Sequence, residues 1–347
     1  MTTGDWRVEP PLSQVHHKSL PSVGRAPCMD SRLASVLDEA FPDREVAETS
    51  PPGPSWNEQN RTVQVTFADG ETIYLKLAVD GDPSGVVRES AVIPYVGANY
   101  RIPVPTVLAS DPEHEIPYLA TAPVPAADFL SRWDDAGEAQ REQFAREVGE
   151  SLARVHDQRF DRHGHVVGGG AAGLELDAGP WTDVLVDTIE DLREITPDDQ
   201  FDHHFDDVIA AVEDARDLLD SAPAALLHGD TAVPNCFRAD ERIGFLDWEI
   251  AHVGDPVRDL QYTRDQHFDS LRSSGSERLV TAFYDGYREQ AGGLPEGFDD
   301  RLPVYEAVNH LGISGHVERI AEFHDEPRDE LSAWIDAEMS RLLATIR

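Results

Sequence analysis

The sequence predicts an α+β fold in two lobes, a β-rich N-terminal lobe and a mostly helical C-terminal lobe. Apolar residues alternate with polar ones on both sides of a turn at Asp69-Gly70, which is typical of a β-hairpin. Beyond a boundary near residues 123–127, apolar residues recur at helical spacing over long segments. These segments lie at 138–157, 181–195, 203–220, 276–291 and 326–346.

This change of pattern also predicts the domain limits. Residues 1–29 are rich in Pro and Ser without sustained periodicity, so we expect an arm of uncertain order. The N-terminal lobe then takes residues 30–124, and the C-terminal lobe takes residues 125–347. The first element is a helix over 30–41, with Asp30 as its expected N-cap.

The predicted hairpin is followed by further elements of the N-terminal lobe. Its alternating apolar residues are Val63, Val65 and Phe67 in the first strand and Ile73, Leu75, Leu77 and Val79 in the second. A helix is expected over 85–96, although Pro94 is unfavourable in its late part. Two more strands are expected within 104–110 and 116–124. In the C-terminal lobe, Gly168-Gly169-Gly170 is expected to form a loop tip.

Acidic residues dominate the charge of the chain. Asp and Glu number 66 against 29 Lys and Arg, of which only Lys18 and Lys76 are lysine, and the net charge is −37. A field of this sign repels nucleic acids and anionic membranes, so neither is expected as a partner. Strong acidity with almost no lysine indicates a halophilic protein, because concentrated salt screens self-repulsion within about 3 Å.

The expected location is the cytoplasm. No apolar run approaches the ~20 residues of a membrane-spanning helix, and the N-terminus lacks the apolar segment of a secretory signal. Cys28 and Cys236 are the only cysteines, too few for a disulfide framework.

The candidate chemistry lies between Ala224 and Leu260. Two short apolar stretches in this segment each end in a polar group with an aspartate, His228-Gly229-Asp230 and Asp247-Trp248-Glu249. The chain between these groups predicts a hairpin around a turn at 239–243.

In the predicted register, Asn235 and Asp247 face each other at the open end of this hairpin, with Cβ atoms roughly 5 Å apart. An amide oxygen and a carboxylate at that spacing can share Mg²⁺, which prefers oxygen ligands and keeps positions open for phosphates. Asp230, five residues before Asn235, is placed to accept a proton from a hydroxyl.

This arrangement matches the kinase catalytic loop, in which an Asp base is followed by an Asn metal ligand and, after a short hairpin, by a second Asp. The chain resembles the aminoglycoside phosphotransferase family in three motifs taken together. These are HGDTAVPN (228–235), DWE (247–249) and GDPVRDL (254–260). SLARVHD (151–157) is similar to the helix that precedes the catalytic loop in that family. The resemblance covers roughly residues 60–260 and implies a bilobal protein-kinase-like fold.

The resemblance also implies a role for each candidate residue. Asp230 is the catalytic base, and Asn235 and Asp247 are the Mg²⁺ ligands. Lys76 lies on the strand face opposite the apolar residues, where a compact ammonium can meet both the phosphates of ATP and a carboxylate. Its expected carboxylate is that of Glu89, thirteen residues further on in the following helix.

The nucleotide is expected to contact two more segments. The hairpin entry resembles the short segment that lies near the phosphates in this family, here Asn60, Arg61 and Thr62. No GxGxxG motif accompanies it. In the segment that joins the lobes, Pro123 has no N–H, so the Ala122 carbonyl and the Val124 N–H are expected to bind adenine.

The expected function is transfer of the γ-phosphoryl group of ATP to a hydroxyl of a small molecule. An amino alcohol, a sugar, an aminoglycoside or a homoserine-like compound all suit the resemblance. Two other classes remain open. One is a pseudokinase that binds nucleotide without transfer. The other is a metal-dependent hydrolase using His228, Asp230 and Asp247, which acts without ATP and leaves Lys76 without a role. The sequence predicts neither the acceptor nor the oligomeric state.

Several polar residues are interpreted as structural. His228 is expected to hold the catalytic loop by hydrogen bonding, and Asp255 and Asp259 to position that loop and the next helix. Histidines without the spacing of a zinc site are interpreted as solvated or structural, namely the pairs at 16–17 and 203–204, His163 and His165.

Overall fold

The computed structural model describes residues 31–51, 60–78, 82–124, 129–239, 241–322 and 326–346. The predicted arm at 1–29, the N-cap Asp30 and the strand residue Val79 lie outside the described residues. Within them, an antiparallel sheet precedes a mostly helical region, which confirms the predicted α+β fold. Across the described residues, no helix combines the length and the apolar character that crossing a bilayer requires.

Five antiparallel strands form the sheet of the N-terminal lobe in the order β1-β2-β3-β5-β4. They are β1 (Val46–Ser50), β2 (Asn60–Phe67), β3 (Thr72–Ala78), β4 (Val107–Asp111) and β5 (Tyr118–Thr121). The predicted hairpin is β2–β3, in which Thr62 pairs with Lys76 and Val63 with Leu75. The apolar residues of these strands bury against helix α1 (Ser31–Ala40), so alternation directs Lys76 to the opposite face.

Helix α2 (Ser84–Asn99) connects this sheet to the rest of the molecule. It runs through Pro94 and three residues past the predicted end, so the expected interruption does not occur. The loss of one backbone hydrogen bond is offset because Val92, Ile93 and Val96 are buried in the main core with helices of the C-terminal lobe.

Ten helices in the described residues build the C-terminal lobe. They are α3 (Phe129–Asp135), α4 (Glu138–Val155), α5 (Trp181–Ile195), α6 (Asp202–Asp214), α7 (Arg216–Leu219), α8 (Pro256–Phe268), α9 (Glu277–Ala291), α10 (Phe298–Ser314), α11 (Val317–Ala321) and α12 (Arg328–Leu343). The five predicted helical segments correspond to α4, α5, α6 with α7, α9 and α12.

Two small sheets accompany these helices. One has the order β7-β6-β11-β8, and the other is the hairpin β9–β10. The strands are β6 (His163–Gly170), β7 (Gly173–Gly179), β8 (Ala225–Leu227), β9 (Cys236–Ala239), β10 (Arg242–Phe245) and β11 (His252–Gly254). The expectation of a loop tip at Gly168-Gly169-Gly170 is wrong, because these residues pair with β7 after a bulge. Gly169 has φ +117°, which favours glycine within such an irregular strand.

Candidate active site

The β9–β10 hairpin carries the two predicted metal ligands in a register that differs from the prediction by one residue. Cys236 pairs with Phe245, and the Leu246 N–H donates to the Asn235 carbonyl at 2.7 Å. The expected five-residue turn is wrong, since Ala239 pairs with Arg242 and Arg238 with Ile243. Asp247 is therefore not the cross-strand partner of Asn235 but lies one residue beyond it.

A left-handed backbone conformation redirects the chain at Asp247, which has φ 62°. This conformation is uncommon for a residue with a Cβ and is often found at functional sites. The carboxylate Oδ1 of Asp247 lies 2.5 Å from the Lys76 Nζ, across 171 residues of sequence.

The Lys76 ammonium contacts three carboxylates, which together we call the Lys76 cluster. Its Nζ lies 2.6 Å from Glu89 Oε2, 2.5 Å from Asp247 Oδ1 and 3.2 Å from Glu249 Oε2. Burial opposes the charged ammonium, but the three carboxylates outweigh it and raise the pKa of Lys76 well above its usual range. Burial also raises the pKa of the Glu89 carboxyl, which Lys76 only partly offsets.

The Lys76 cluster carries more negative than positive charge. Three carboxylates surround one ammonium, and buried charge is costly unless it is balanced. The carboxylate oxygens of Asp247 and Glu249 are ligands that Mg²⁺ prefers, and the Asn235 amide, hydrogen-bonded to Asp230, has an oxygen of the same kind. The donor atoms and the surplus charge of this site therefore fit a divalent cation.

Asp230 is held by two side chains. Its Oδ1 accepts from the Tyr262 hydroxyl at 2.8 Å, and its Oδ2 accepts from the Asn235 Nδ2 at 2.8 Å. Burial raises the pKa of Asp230 to about 6, with Asp247 adding to the rise and the Tyr262 hydrogen bond opposing it. The carboxylate is thus ionised and oriented at neutral pH, as proton acceptance requires.

His228 supports the loop that carries Asp230. Its Nε2–H donates to the Leu246 carbonyl at 2.9 Å, and its Nδ1 accepts from the Asp230 backbone N–H at 3.2 Å. Burial lowers the pKa of His228 to about 4, so the ring is neutral. Both ring nitrogens are hydrogen-bonded, so His228 joins the loop that carries Asp230 to the chain after strand β10, as expected of a loop-holding residue.

Asp259 fixes the same loop from helix α8. Its carboxylate accepts from the backbone N–H of His228 at 2.7 Å and of Gly229 at 3.0 Å. Burial opposes ionisation, but hydrogen bonds from His156 and from the loop outweigh it and lower the pKa of Asp259 to about 2. Gly229 has φ +86°, and a Cβ there would lie 3.0 Å from the Ile250 carbonyl oxygen.

Asp255 anchors the start of helix α8. Its side chain caps the helix by accepting from the Val257 N–H at 3.1 Å. It also accepts from Arg301 Nε at 2.6 Å and from the Tyr305 hydroxyl at 2.7 Å. This buried network sets the position of α8 and, through Asp259 and Tyr262 on that helix, of the loop that carries Asp230.

The predicted phosphate-side residues begin strand β2. The Asn60 Nδ2 donates to Glu249 Oε2 at 2.7 Å, which places Asn60 beside the Lys76 cluster. Thr62 pairs with Lys76 across the hairpin, and Arg61 lies between Asn60 and Thr62.

The two residues expected to bind adenine follow strand β5, in the segment that joins the lobes. The N–H of Ala122 donates to the Thr106 carbonyl at 2.9 Å, and Val124 is half-buried. Among described residues, no hydrogen bond joins Ala122 or Val124 to the Lys76 cluster.

Sequence reasoning missed four polar residues of the site. Glu249 belongs to the DWE motif, for which no role beyond Asp247 is predicted, and its position two residues after Asp247 is the signal that could have revealed it. Arg88 donates to the Glu249 carbonyl at 2.5 Å, and Tyr262 donates to Asp230. Arg258 donates to the neutral His252 at 2.9 Å, without a carboxylate partner among the described residues. Glu249, Arg88 and Tyr262 make their contacts with residues distant in sequence, which no local pattern indicates.

A cavity of ≈ 740 Å³ opens beside Asp230. Helices α5, α8, α10 and α12 contribute to its wall, which includes the apolar residues Ile189, Leu192 and Trp334. Its volume is that of a site for a small molecule. The cavity therefore gives a small compound access to the carboxylate of Asp230.

The Phosphotransferase enzyme family matches residues 53–301 of this chain. The chain belongs to this family. The resemblance that the HGD, DWE and GDPVRDL motifs indicate is thereby confirmed. No curated protein matches the sequence of this phosphotransferase significantly.

Solved structures similar to this phosphotransferase share its bilobal kinase-like fold. The apo form of a thermostable mutant of aminoglycoside phosphotransferase APH(4)-Ia is 16% identical, with a TM-score of 0.56, covering 90% of this chain and 98% of the other. A putative fructosamine-3-kinase from Thermobifida fusca YX-ER1 is 22% identical, with a TM-score of 0.54, covering 85% and 98%. Choline kinase LicA from Streptococcus pneumoniae is 13% identical, with a TM-score of 0.57, covering 91% and 99%.

Proposed function

We propose that this phosphotransferase transfers the γ-phosphoryl group of ATP to a hydroxyl of a small molecule. The observation that carries the proposal is the meeting of Lys76, Glu89 and Asp247 beside an oriented Asp230. The similar APH(4)-Ia has been solved in ternary complexes with hygromycin B and either ADP or AMP-PNP, which supports a site for a nucleotide and an acceptor.

Asp230 is proposed as the catalytic base. Its ionised carboxylate, oriented by Tyr262 and Asn235, accepts the proton of the acceptor hydroxyl. The hydroxyl oxygen bonds to the γ-phosphorus as the bond from that phosphorus to the β-phosphate oxygen breaks, and ADP leaves with the electron pair. Proton transfer of this kind contributes about 10²–10⁴-fold to a rate, and positioning and electrostatic stabilisation supply the rest.

The phosphates of ATP are proposed to lie at the Lys76 cluster. Lys76, held by Glu89, leaves its direct contact with Asp247 to neutralise phosphate charge. Asn235 and Asp247 are the proposed Mg²⁺ ligands, with Glu249 beside them. When bound there, Mg²⁺ supplies positive charge to the phosphate oxygens.

The remaining nucleotide contacts are proposed from the sequence analysis. Asn60, Arg61 and Thr62 lie on the strand next to Lys76, near the phosphates. The Ala122 carbonyl and the Val124 N–H are the proposed partners of adenine.

The acceptor is proposed to occupy the cavity beside Asp230. Its volume suits an amino alcohol, a sugar, an aminoglycoside or a homoserine-like compound. Because ATP is a cytoplasmic substrate, we propose that the reaction takes place in the cytoplasm.

A metal-dependent hydrolase is not supported as an alternative. That function needs a free ring nitrogen on His228, whereas both nitrogens are hydrogen-bonded, to the Leu246 carbonyl and to the Asp230 N–H. It also gives no role to the buried Lys76 and its pairing with Glu89.

An ADP-release assay across a library of small hydroxyl compounds tests the proposal. We expect wild-type protein, with ATP and Mg²⁺ in high salt, to release ADP in response to one chemical class of compound. Asp230→Asn is the matched control, and we expect it to bind nucleotide with little change while losing acceptor-dependent turnover. Nucleotide binding without turnover on any compound would favour a pseudokinase and contradict the proposed transfer.

A further inference from the structure

A second group of polar side chains lies between helices α6 and α12, separate from the Lys76 cluster. His203 and His204 lie in the first turn of α6, and Asp336 lies on α12. The Nε2 atoms of the two histidines face the same carboxylate oxygen, Asp336 Oδ1, at 3.5 Å and 3.4 Å. One ligand atom from each of the three residues lies within 4.8 Å of the others.

Hydrogen bonds fix the coordinating nitrogen of His204. The Ser314 hydroxyl donates to the His310 carbonyl at 3.2 Å, so its oxygen accepts from the Nδ1–H of His204 at 2.9 Å. The Nε2 of His204 is thereby left to face Asp336. Its ring is buried and stacks on Phe201 with centroids 4.8 Å apart, which holds its orientation. A hydrogen bond to the second ring nitrogen commonly orients a metal-bound histidine.

The distances suit a shared metal ion, and the only direct hydrogen bond of the group, from His204 Nε2 to Asp336 Oδ1, is long at 3.4 Å among the described residues. Hydrogen bonds between charged nitrogen and oxygen are about 2.7–2.9 Å long, shorter than either contact to Asp336. Ligands bound tetrahedrally at about 2.0–2.2 Å lie about 3.3–3.6 Å apart, which matches both contacts.

We propose that His203, His204 and Asp336 bind a divalent transition-metal ion, with zinc the metal that best suits two imidazoles and a carboxylate. The ion would tie α6 to α12. Trp334 and Glu338, on either side of Asp336 along α12, line the cavity beside Asp230. The metal would therefore fasten one wall of that cavity, and this role does not depend on the reaction catalysed there.

Zinc titration against a competing chromophoric chelator tests the site, with ADP and Mg²⁺ present to occupy the nucleotide site. We expect one tight Zn²⁺ per chain, with affinity reduced about 100-fold or more by His203→Ala and by Asp336→Asn. Both side chains are more than half exposed, at 56% and 58%, so both variants should fold. The matched control is His114→Ala. The His114 ring faces the Glu39 carboxylate at 3.1 Å in the N-terminal lobe, so this substitution should leave zinc affinity unchanged.

Cobalt substitution gives a second readout that does not depend on activity. Co²⁺ at a four-coordinate site absorbs visible light far more strongly than Co²⁺ on scattered surface carboxylates. We expect this absorption in wild type and in His114→Ala, and its loss in the other two variants. A zinc excess of 100 times the dissociation constant should raise the Tm of wild type by about 4 °C. Zinc affinity and cobalt absorption that are equal in all variants would overturn the proposal.

Discussion

The substitution Tyr262→Phe isolates the hydrogen bond that holds Asp230. The hydroxyl of Tyr262 donates to Asp230 Oδ1 at 2.8 Å and stabilises the ionised carboxylate. Phenylalanine keeps the ring and its packing but removes this donor. We therefore expect the substitution to raise the pKa of Asp230 without changing the activity of the enzyme once that carboxylate is ionised.

The size of the change follows from the strength of the bond. A hydrogen bond to a charged group contributes about 1.5–3 kcal/mol, and about 1.4 kcal/mol corresponds to one pKa unit. The pKa of Asp230, about 6 in the wild type, should then rise by about one to two. At pH 7 the ionised fraction falls from about nine-tenths to between a half and a tenth, so activity falls about two- to tenfold.

The assay is kcat/KM for the acceptor as a function of pH at saturating ATP. We expect the acid limb to move by about one to two pH units towards higher pH, with the plateau above pH 9 unchanged. Tyr118→Phe, which removes the hydroxyl of a buried tyrosine in the N-terminal sheet, is the control and should leave the limb in place. The reasoning would be refuted if the acid limb of the Tyr262→Phe profile did not move, or if kcat/KM at the plateau fell as far as it does at pH 7.

Lys76→Arg keeps the positive charge but replaces a compact ammonium with a broad guanidinium, so kcat/KM for ATP should fall about 100-fold or more. Kinetics near those of the wild type would contradict this expectation. Asp255→Asn leaves the buried Arg301 without its counter-charge, so chemical denaturation should show a loss of about 3–5 kcal/mol in unfolding free energy. The control Asp69→Asn, which breaks an exposed pair with Arg44, should not move the midpoint, and equal effects would disprove the distinction. With a net charge of −37, the chain should lose its circular dichroism signal as salt is removed, whereas full stability in dilute buffer would argue against halophilic adaptation.

Patterns that are local in sequence predicted much of the fold. Strict alternation located the β2–β3 hairpin because a strand with one buried face repeats every two residues. The same alternation placed Lys76 on the face away from the apolar core. The spacing of the HGD, DWE and GDPVRDL motifs predicted the family, because three separate motifs constrain a chain more than any one of them.

The register of the β9–β10 hairpin could not be read in the same way. The expected register and the observed one, which differ by one residue, both place apolar residues in the arms, so the pattern around Asn235 fits either. The chain that leaves the hairpin brings Asp247 to Lys76, a contact across 171 residues that no local pattern indicates. The loop predicted at Gly168-Gly169-Gly170 was wrong for a related reason, since pairing with β7 overrides the low strand preference of glycine.

The polar contacts within the site could not be predicted from local patterns either. Glu249 meets Lys76 across 173 residues, and Tyr262 meets Asp230 across 32 residues. Neither contact produces a periodic pattern in the sequence from which it could be predicted. Such contacts follow only from the folded arrangement of α8, the hairpin and the N-terminal sheet.

Phosphorus NMR and mass spectrometry of the reaction products test the central claim most directly. With ATP, Mg²⁺ and the acceptor identified by ADP release, the wild-type protein should form one phosphate monoester of that acceptor for each ADP. Asp230→Asn should form almost none while still binding ATP. Inorganic phosphate as the sole product beside ADP, or equal ester formation by the variant, would contradict the proposed transfer by Asp230.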